Sequence, residues 1–467
     1  MAAMKTYRFR FDGAPRGPVE KLPVPDRVTF SLMHSCGELM LPKVEEGVSV
    51  KTGTAIAWSE TEPNLAVLSS VTGKVTVVEA TKGKRRRLRP GRITIERAGD
   101  DEFEKIEDAT RSLEEISPQV GRSMLIRAGM WPLVGHWPRD HRCLADPGSD
   151  PHAVVVKGVK AQPFGPRGHI LLAGRLDDLV KGLGYLQRVV GGSARIHLIL
   201  TAEQSTLAQD IKERTSGKAW IKLHFLPVAY PVENDGFLHR LLFADEEEDA
   251  ASAAWYVDLE TVMSLPRCLG NGIAPYDRVI ALGGNGYKDP VHVQARLGTS
   301  VNDIVGDRLV ETETRLVRGG FLTGRAIEDG AATIDICDEA ISAIVEGRER
   351  RLLGFLRPGL DTDSYSSGFL SLFRPDAPRD CSTNLRGEPR RCVCCGYCEE
   401  ICPAGIMPHQ LYKYSTQDMV DEIESTGIHL CVECGLCSYV CPSKIEIMKH
   451  LLDAKARLAA EKAEAAR

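Results

Sequence analysis

The stretch "RCVCCGYCEEICP", residues 391–403, carries five cysteines: Cys392, Cys394, Cys395, Cys398 and Cys402. A second stretch, "CVECGLCSYVCP", residues 431–442, matches it at Cys, Val, Cys, Gly, Cys, Cys and Pro. In that alignment Cys394 falls opposite Glu433, which marks Cys394 as the spare. What remains is Cys-x2-Cys-x2-Cys-x3-Cys-Pro, twice. Three cysteines at intervals of three wrap a loop around one face of an iron–sulfur cube. The fourth points away and ligates the other cluster in two-cluster ferredoxins. One [4Fe–4S] cluster is therefore expected on Cys392, Cys395, Cys398 and Cys441, and a second on Cys431, Cys434, Cys437 and Cys402. Gly396 and Gly435 permit tight turns near sulfur, and Pro403 and Pro442 fix the exit from each loop. Zinc prefers separated Cys-x2-Cys pairs closing one tetrahedron, so tandem loops of this kind argue against it.

The cysteine count supports the same chemistry. Of 14 cysteines, nine fall between Cys392 and Cys441. Such clustering in a reducing compartment indicates metal or redox chemistry over disulfides. Cys36, Cys143, Cys268, Cys337 and Cys381 are scattered and read as buried free thiols. The 467 residues exceed one ordinary core, and 26% charged with 43% hydrophobic residues is a common globular balance. A net charge of −5 leaves no nucleic-acid footprint. The opening "MAAMKTYRFRFDG" has no apolar signal core, and no apolar run approaches bilayer length. The expected location is the cytoplasmic side, at the inner membrane through partner subunits, with no transmembrane segment of its own.

Upstream of the cysteines the periodicity changes twice. Residues 25–97 alternate valines with turn glycines, including "SSVTGKVTVV", the pattern of a small β barrel-sandwich. The basic run Lys82 to Arg89 reads as a solvated hairpin or a dock for an acidic partner or lipid headgroup. From about residue 150, continuous apolar strands such as "RIHLILTA" alternate with helical segments such as "RLDDLVKGLGYLQRVVGG", the signature of a buried, largely parallel Rossmann-like sheet. The acidic "ADEEEDAA", residues 244–251, reads as an exposed loop. "GGNGYKDP" places Gly283, Gly284 and Gly286 after a strand, yet a second strand-like run follows where a dinucleotide loop needs a helix. A β-turn is expected there. Residues 354–391, rich in Pro, Gly and Ser, read as an extended connector. His136, His141 and Cys143 form a metal trio on paper, and surface donors are the plainer reading.

Over Met124 to Leu370 the chain resembles the NqrA family, one component of the sodium-translocating NADH:quinone reductase (Nqr). The resemblance is carried by "LIRAGMWPLV", "ILLAGRLDDLVKGLGYL", "DRVIALGGNGYKDPVHVQARLGTSVNDIV", "VRGGFLTGRA" and "EGRERRLLGFLRPG". The tail is similar to that of RnfC, a component of the Rnf complex. Together these imply an α/β multidomain chain: an N-terminal barrel-sandwich hybrid (1–118), a Rossmann-like domain (119–275), a β-grasp ligand-binding module (276–352), a linker (353–388) and a C-terminal dicluster ferredoxin-like α-helical domain (389–467). They also imply attachment to a membrane redox complex moving electrons from NADH towards quinone or ferredoxin. Flavin-binding relatives carry a glycine-rich phosphate loop where this chain has Trp131, Pro132, Trp137 and Pro138, so FMN and NADH sites do not carry over. Quinone contacts, placed by the resemblance near residues 226–243, retain only Pro231, Gly236 and His239.

The expected function is an iron–sulfur electron-transfer subunit of an Nqr/Rnf-type NADH:quinone or ferredoxin oxidoreductase, not catalytic alone. Two alternatives stand beside it: a flavin-dependent NADH dehydrogenase component, and an assembly scaffold whose clusters are structural.

Overall fold

The computed structural model describes residues 5–81, 90–107, 109, 113–137, 144–201, 205–244, 254–328, 330–348, 358–366, 368–374, 376–379, 381–383 and 388–465. The basic run Lys82–Arg89 lies outside them, as does the acidic loop apart from Ala244.

Strand β1 (Arg16–Lys21) leaves the N-terminal segment for a sheet formed much later in the chain. The next seven strands are β2 (Arg27–Ser31), β3 (Met40–Pro42), β4 (Ser49–Val50), β5 (Ala55–Ser59), β6 (Ala66–Leu68), β7 (Gly73–Glu79) and β8 (Arg92–Arg97). They build the barrel-sandwich as two sheets, ordered β2-β8-β7-β4 and β3-β5-β6. Alternation decides the inner face: Val28 and Phe30 point in while Arg27 and Ser31 point out, and Ile93 and Ile95 meet them from β8.

The second module is a doubly wound layer. Strands β9 (Gly135–Trp137), β10 (Ala153–Lys157), β11 (Arg195–Thr201), β12 (Ile221–Leu226) and β13 (Ala254–Asp258) take the order β12-β11-β10-β13-β9. All pairings are parallel except that of β9 with β13. On one face, α1 (Pro118–Arg127), α3 (Leu176–Val190) and α6 (Leu259–Leu265) pack on Val154, Val156, Leu198 and Val257. Two further helices, α2 (Gly168–Leu172) and α4 (Ser205–Thr215), lie between α1 and α5 in the chain. Helix α3 turns Leu179, Leu183, Leu186 and Val190 to the sheet, a stripe at helical spacing.

The opposite face is covered differently. Alternate residues Ala153, Val155, Ile199, Ala254 and Tyr256 share a core with α5 (Asp235–Phe243) and with the cysteine-rich tail, including Leu411, Val432, Leu436 and Leu451. The tail therefore stands as the second covering layer of the sheet. Each such leucine contributes roughly 1.5–3 kcal/mol relative to exposure.

A third sheet, β1-β15-β14-β18-β16-β17, comprises β14 (Asp277–Gly283), β15 (Val291–Arg296), β16 (Thr314–Arg318), β17 (Arg325–Ala326) and β18 (Ala340–Val345), with α7 (Val301–Val305) beside it. Strand β14 continues as the antiparallel β15, so the glycines of "GGNGYKDP" serve a hairpin and open no helix. The tail carries α8 (Tyr397–Glu400), α9 (Pro408–Thr416), α10 (Val420–Ser425), α11 (Leu436–Tyr439) and α12 (Ile447–Ala465). Among the described residues no helix is long and apolar enough to cross a membrane.

Candidate metal-cluster site

The two cysteine loops take the same backbone path. Gly396 and Gly435 lie in the left-handed region, at φ 81° and 77°, and each opens a short helix, α8 or α11. Two residues earlier, Cys394 and Glu433 also have positive φ, 53° and 56°. A turn this tight brings three cysteines to one side of each loop, and glycine takes the left-handed conformation at Gly396 and Gly435 without the strain a side chain would add. Cys398 and Cys437 sit in the helices, and Cys402 and Cys441 follow them, each before a proline.

The loops exchange their last cysteine. One cavity is lined by Cys392, Cys395, Cys398 and Cys441, with Cys394, Val393, His409, Tyr412 and Pro442 around them. The other is lined by Cys402, Cys431, Cys434 and Cys437, closed by Ile406, Val432, Leu436, Met448 and Leu451. All eight expected ligands are thus gathered into two sets of four. Among the described residues, no three His, Cys, Asp or Glu side chains form a site for a single metal ion.

The donor set suits a polynuclear centre. Burial, with the neighbouring thiols Cys395 and Cys441, pushes the Cys398 thiol up to about 11. Burial pushes Cys431 to about 11, opposed by Lys455, and Cys434 to about 12, opposed by a backbone N–H but reinforced by Cys431 and Cys402. Cys437 is raised well above the usual thiol range by burial and by four neighbouring cysteines. Four thiolates crowded into an apolar cavity persist only against compensating positive charge, which the irons of a bound cluster would supply.

Sequence reasoning missed the residues that seat the second loop. The Tyr230 hydroxyl donates to the Cys434 carbonyl, and Asn234 Nδ2 donates to the Val432 carbonyl at 2.6 Å. Lys455 Nζ donates to the Cys431 carbonyl at 2.8 Å and meets Glu433 Oε1 at 2.6 Å. In the first loop Lys413 Nζ lies 3.4 Å from Cys394 Sγ. Lys413 thus stands to Cys394 as Lys455 stands to Glu433, a correspondence the aligned motifs do not extend far enough to show.

Other candidates have structural roles. Trp131 is fully buried and donates Nε1 to the Ala145 carbonyl at 2.8 Å, and Trp137 packs on α5. Pro132 lies in the turn after α1, and Pro138 is outside the described residues. His136 lies on β9, whereas His141 and Cys143 are outside the described residues. Pro231 follows a cis peptide bond, and His239 Nδ1 lies 2.9 Å from the Tyr256 hydroxyl. At the carboxyl ends of β10 and β13 the strand order reverses, the usual ligand crevice of such sheets. Here Arg278 of β14 enters and meets Asp258 at 2.9 Å and Glu260 at 3.7 Å, while Lys160 holds Glu339 at 2.6 Å.

Comparison with known proteins agrees with this architecture. Family profiles match the RnfC barrel-sandwich hybrid domain at residues 12–100, the NqrA second alpha/beta domain at 117–272, the NqrA C-terminal domain at 279–329 and a 4Fe-4S dicluster domain at 384–445. Among curated relatives, the NqrA component of the Na(+)-translocating NADH-quinone reductase of Yersinia pestis bv. Antiqua (strain Angola) is 24% identical over 424 residues, 89% of each chain. The same component from Neisseria meningitidis serogroup B is 26% identical over 386 residues, 82% of each chain. Among solved structures, an NAD+-reducing [NiFe]-hydrogenase in the H2-reduced state overlaps 68% of this chain and 61% of that one at 12% identity. Its TM-score of 0.38 is too low to carry an argument. Taken together, these profiles match most of the chain, with the two NqrA-type domains lying between an RnfC-type barrel-sandwich hybrid and a 4Fe-4S dicluster domain.

Proposed function

We propose that this chain is the iron–sulfur electron-transfer subunit of an Nqr/Rnf-type membrane oxidoreductase, relaying electrons through two [4Fe–4S] clusters. Cys392, Cys395, Cys398 and Cys441 hold one cluster; Cys431, Cys434, Cys437 and Cys402 hold the other. The observation that carries this reading is the exchange of the fourth cysteine between two four-cysteine cavities. When bound, such clusters supply reversible one-electron chemistry, tuned by burial and by hydrogen bonds to sulfur. The chain's own part is to fix the thiolates, to exclude water from the second set with Leu436, Val432 and Leu451, and to anchor that set on α5. Attachment to the inner membrane, on its cytoplasmic side, runs through partner subunits.

The test is iron content and visible absorbance of anaerobically purified protein. The wild type should hold about eight irons, the content of two [4Fe–4S] clusters. Cys395→Ser and Cys434→Ser should each lose about half of both signals, while Cys394→Glu, which copies the second loop, should lose neither. Eight irons and full absorbance in both serine variants would overturn the ligand assignment.

A further inference from the structure

The two cysteine sets differ in what covers them. The second is sealed: Cys431, Cys434 and Cys437 are 7–8% exposed, with Tyr230 and Asn234 pressed on the loop backbone. The first opens to solvent. Cys394 and Cys395 are exposed, Val393 between Cys392 and Cys394 is 65% exposed, and a side chain built on Gly396 would meet only open space.

The rim of this opening is basic. Exposed Arg390 and Arg391 lead into the loop and are fixed beside its far wall. The Arg390 N–H donates to the Ser443 carbonyl at 2.8 Å, and the Ser443 hydroxyl donates to the Arg391 carbonyl at 3.0 Å. Lys413 stands on the other side, against Cys394. Among the described residues neither Arg390 nor Arg391 has a carboxylate within ion-pair distance. Acids on this loop and at the start of the last helix include Glu388, exposed two residues earlier; Glu399, whose carboxylate lies 3.7 Å from His409; Glu400, which hydrogen-bonds Tyr365; and Glu446, paired with Lys449. Two guanidinium groups with no carboxylate partner among the described residues, on an anchored backbone beside the exposed Val393, form a surface whose charge is complementary to an acidic protein.

From this we infer that the face formed by Arg390, Arg391, Val393 and Lys413 is the docking surface for an acidic one-electron carrier protein. The inference rests on the relay reading and adds the partner and its point of entry. Opposite charges steer such encounters and raise association rates, and the effect is suppressed by salt. The exposed Val393 allows close approach of the two redox groups, while the sealed second set faces the body of the chain.

The experiment uses the full chain with its iron, and measures binding of a reduced bacterial two-[4Fe–4S] ferredoxin, an acidic carrier, between about 50 and 300 mM salt. Cytochrome c, a basic carrier, is the control partner. The ferredoxin should bind at low salt with affinity falling steeply as salt rises, and cytochrome c should not bind. Arg390→Glu/Arg391→Glu should weaken ferredoxin binding at least tenfold at low salt and flatten its salt dependence, with iron content unchanged. Arg214→Glu, on α4 far along the chain, should have no such effect. Iron-replete protein that ignores ferredoxin, or binds it equally after the double reversal, overturns the docking surface alone. Absence of iron in the wild type overturns the relay reading beneath it.

Discussion

Cys394 and Glu433 occupy the same left-handed position of two matched turns, and each faces a lysine from a later helix. That equivalence gives Cys394 a position and a partner distinct from those of the four expected ligands beside it. A different kind of residue is Glu233, enclosed behind the first βα loop, where its Oε2 accepts from the Ala161 N–H at 3.1 Å. Burial raises its carboxyl from 4.5 to about 7, opposed by backbone N–H groups and Lys160. Between those two values the unfolded chain has released a proton that the folded chain keeps. Stability contributed by the protonated form is complete below the lower value and is lost as pH rises through the upper one. At about 1.4 kcal/mol per unit, the loss approaches roughly 3 kcal/mol. Glu233→Gln should match the wild type near pH 5 and exceed it by up to that amount near pH 8. Denaturant unfolding at the two pH values checks this, and parallel profiles would refute it.

Among the elements, α5 determines how the tail meets the sheet. Its N-cap Asn234 accepts from the Phe237 N–H through Oδ1 and spends its amide group on the Val432 carbonyl. Gly236, in the first turn, lies so close that an added Cβ would stand 2.6 Å from the Trp137 ring and 2.7 Å from Val432. Gly236→Ala should therefore separate α5 from β9 and the second loop, at a cost of about 1–3 kcal/mol. The expected signature is a lowered thermal midpoint together with faster loss of iron to a chelator. An unchanged midpoint and release rate would show that the contact relaxes freely. The stretch 226–243 was legible in the sequence only as a weak family likeness, because the role of each residue depends on a partner some two hundred positions away.

At the scale of the molecule, an ion network and an N-terminal strap are among the features that join the modules. Arg278 is 5% exposed at its side chain and joins Asp258, at the end of β13, and Glu260, on α6, to its own β-grasp module. Burial opposes ionisation of Asp258, yet the guanidinium overrides it and holds the carboxyl well below its usual range. Removing one member of such a network strands the others in a dry interior. Arg278→Met should cost about 3–5 kcal/mol, measured by chemical unfolding, and a cost below about 1 kcal/mol would mean water reaches the network. The strap is the N-terminal segment: Tyr7 pairs its backbone with Tyr230, β1 extends the β-grasp sheet, and Phe9 packs against Phe321 and Tyr439.

Spacing within a dozen residues was enough to define the cysteine loops, since their geometry is local and set by glycine, proline and ligand intervals. Alternation of apolar residues was likewise enough to define the sandwich strands, and continuous apolar runs between helical segments to define the parallel layer. Periodicity shows that a strand is buried on both faces, but it does not say by what. A connector rich in Pro, Gly and Ser does not say where the tail it leads into comes to rest; the fold lays that tail on the open face of the sheet. Only the tertiary structure decided that contact, because burial there depends on side chains brought together from distant parts of the chain, and on a helix whose glycine lets them touch.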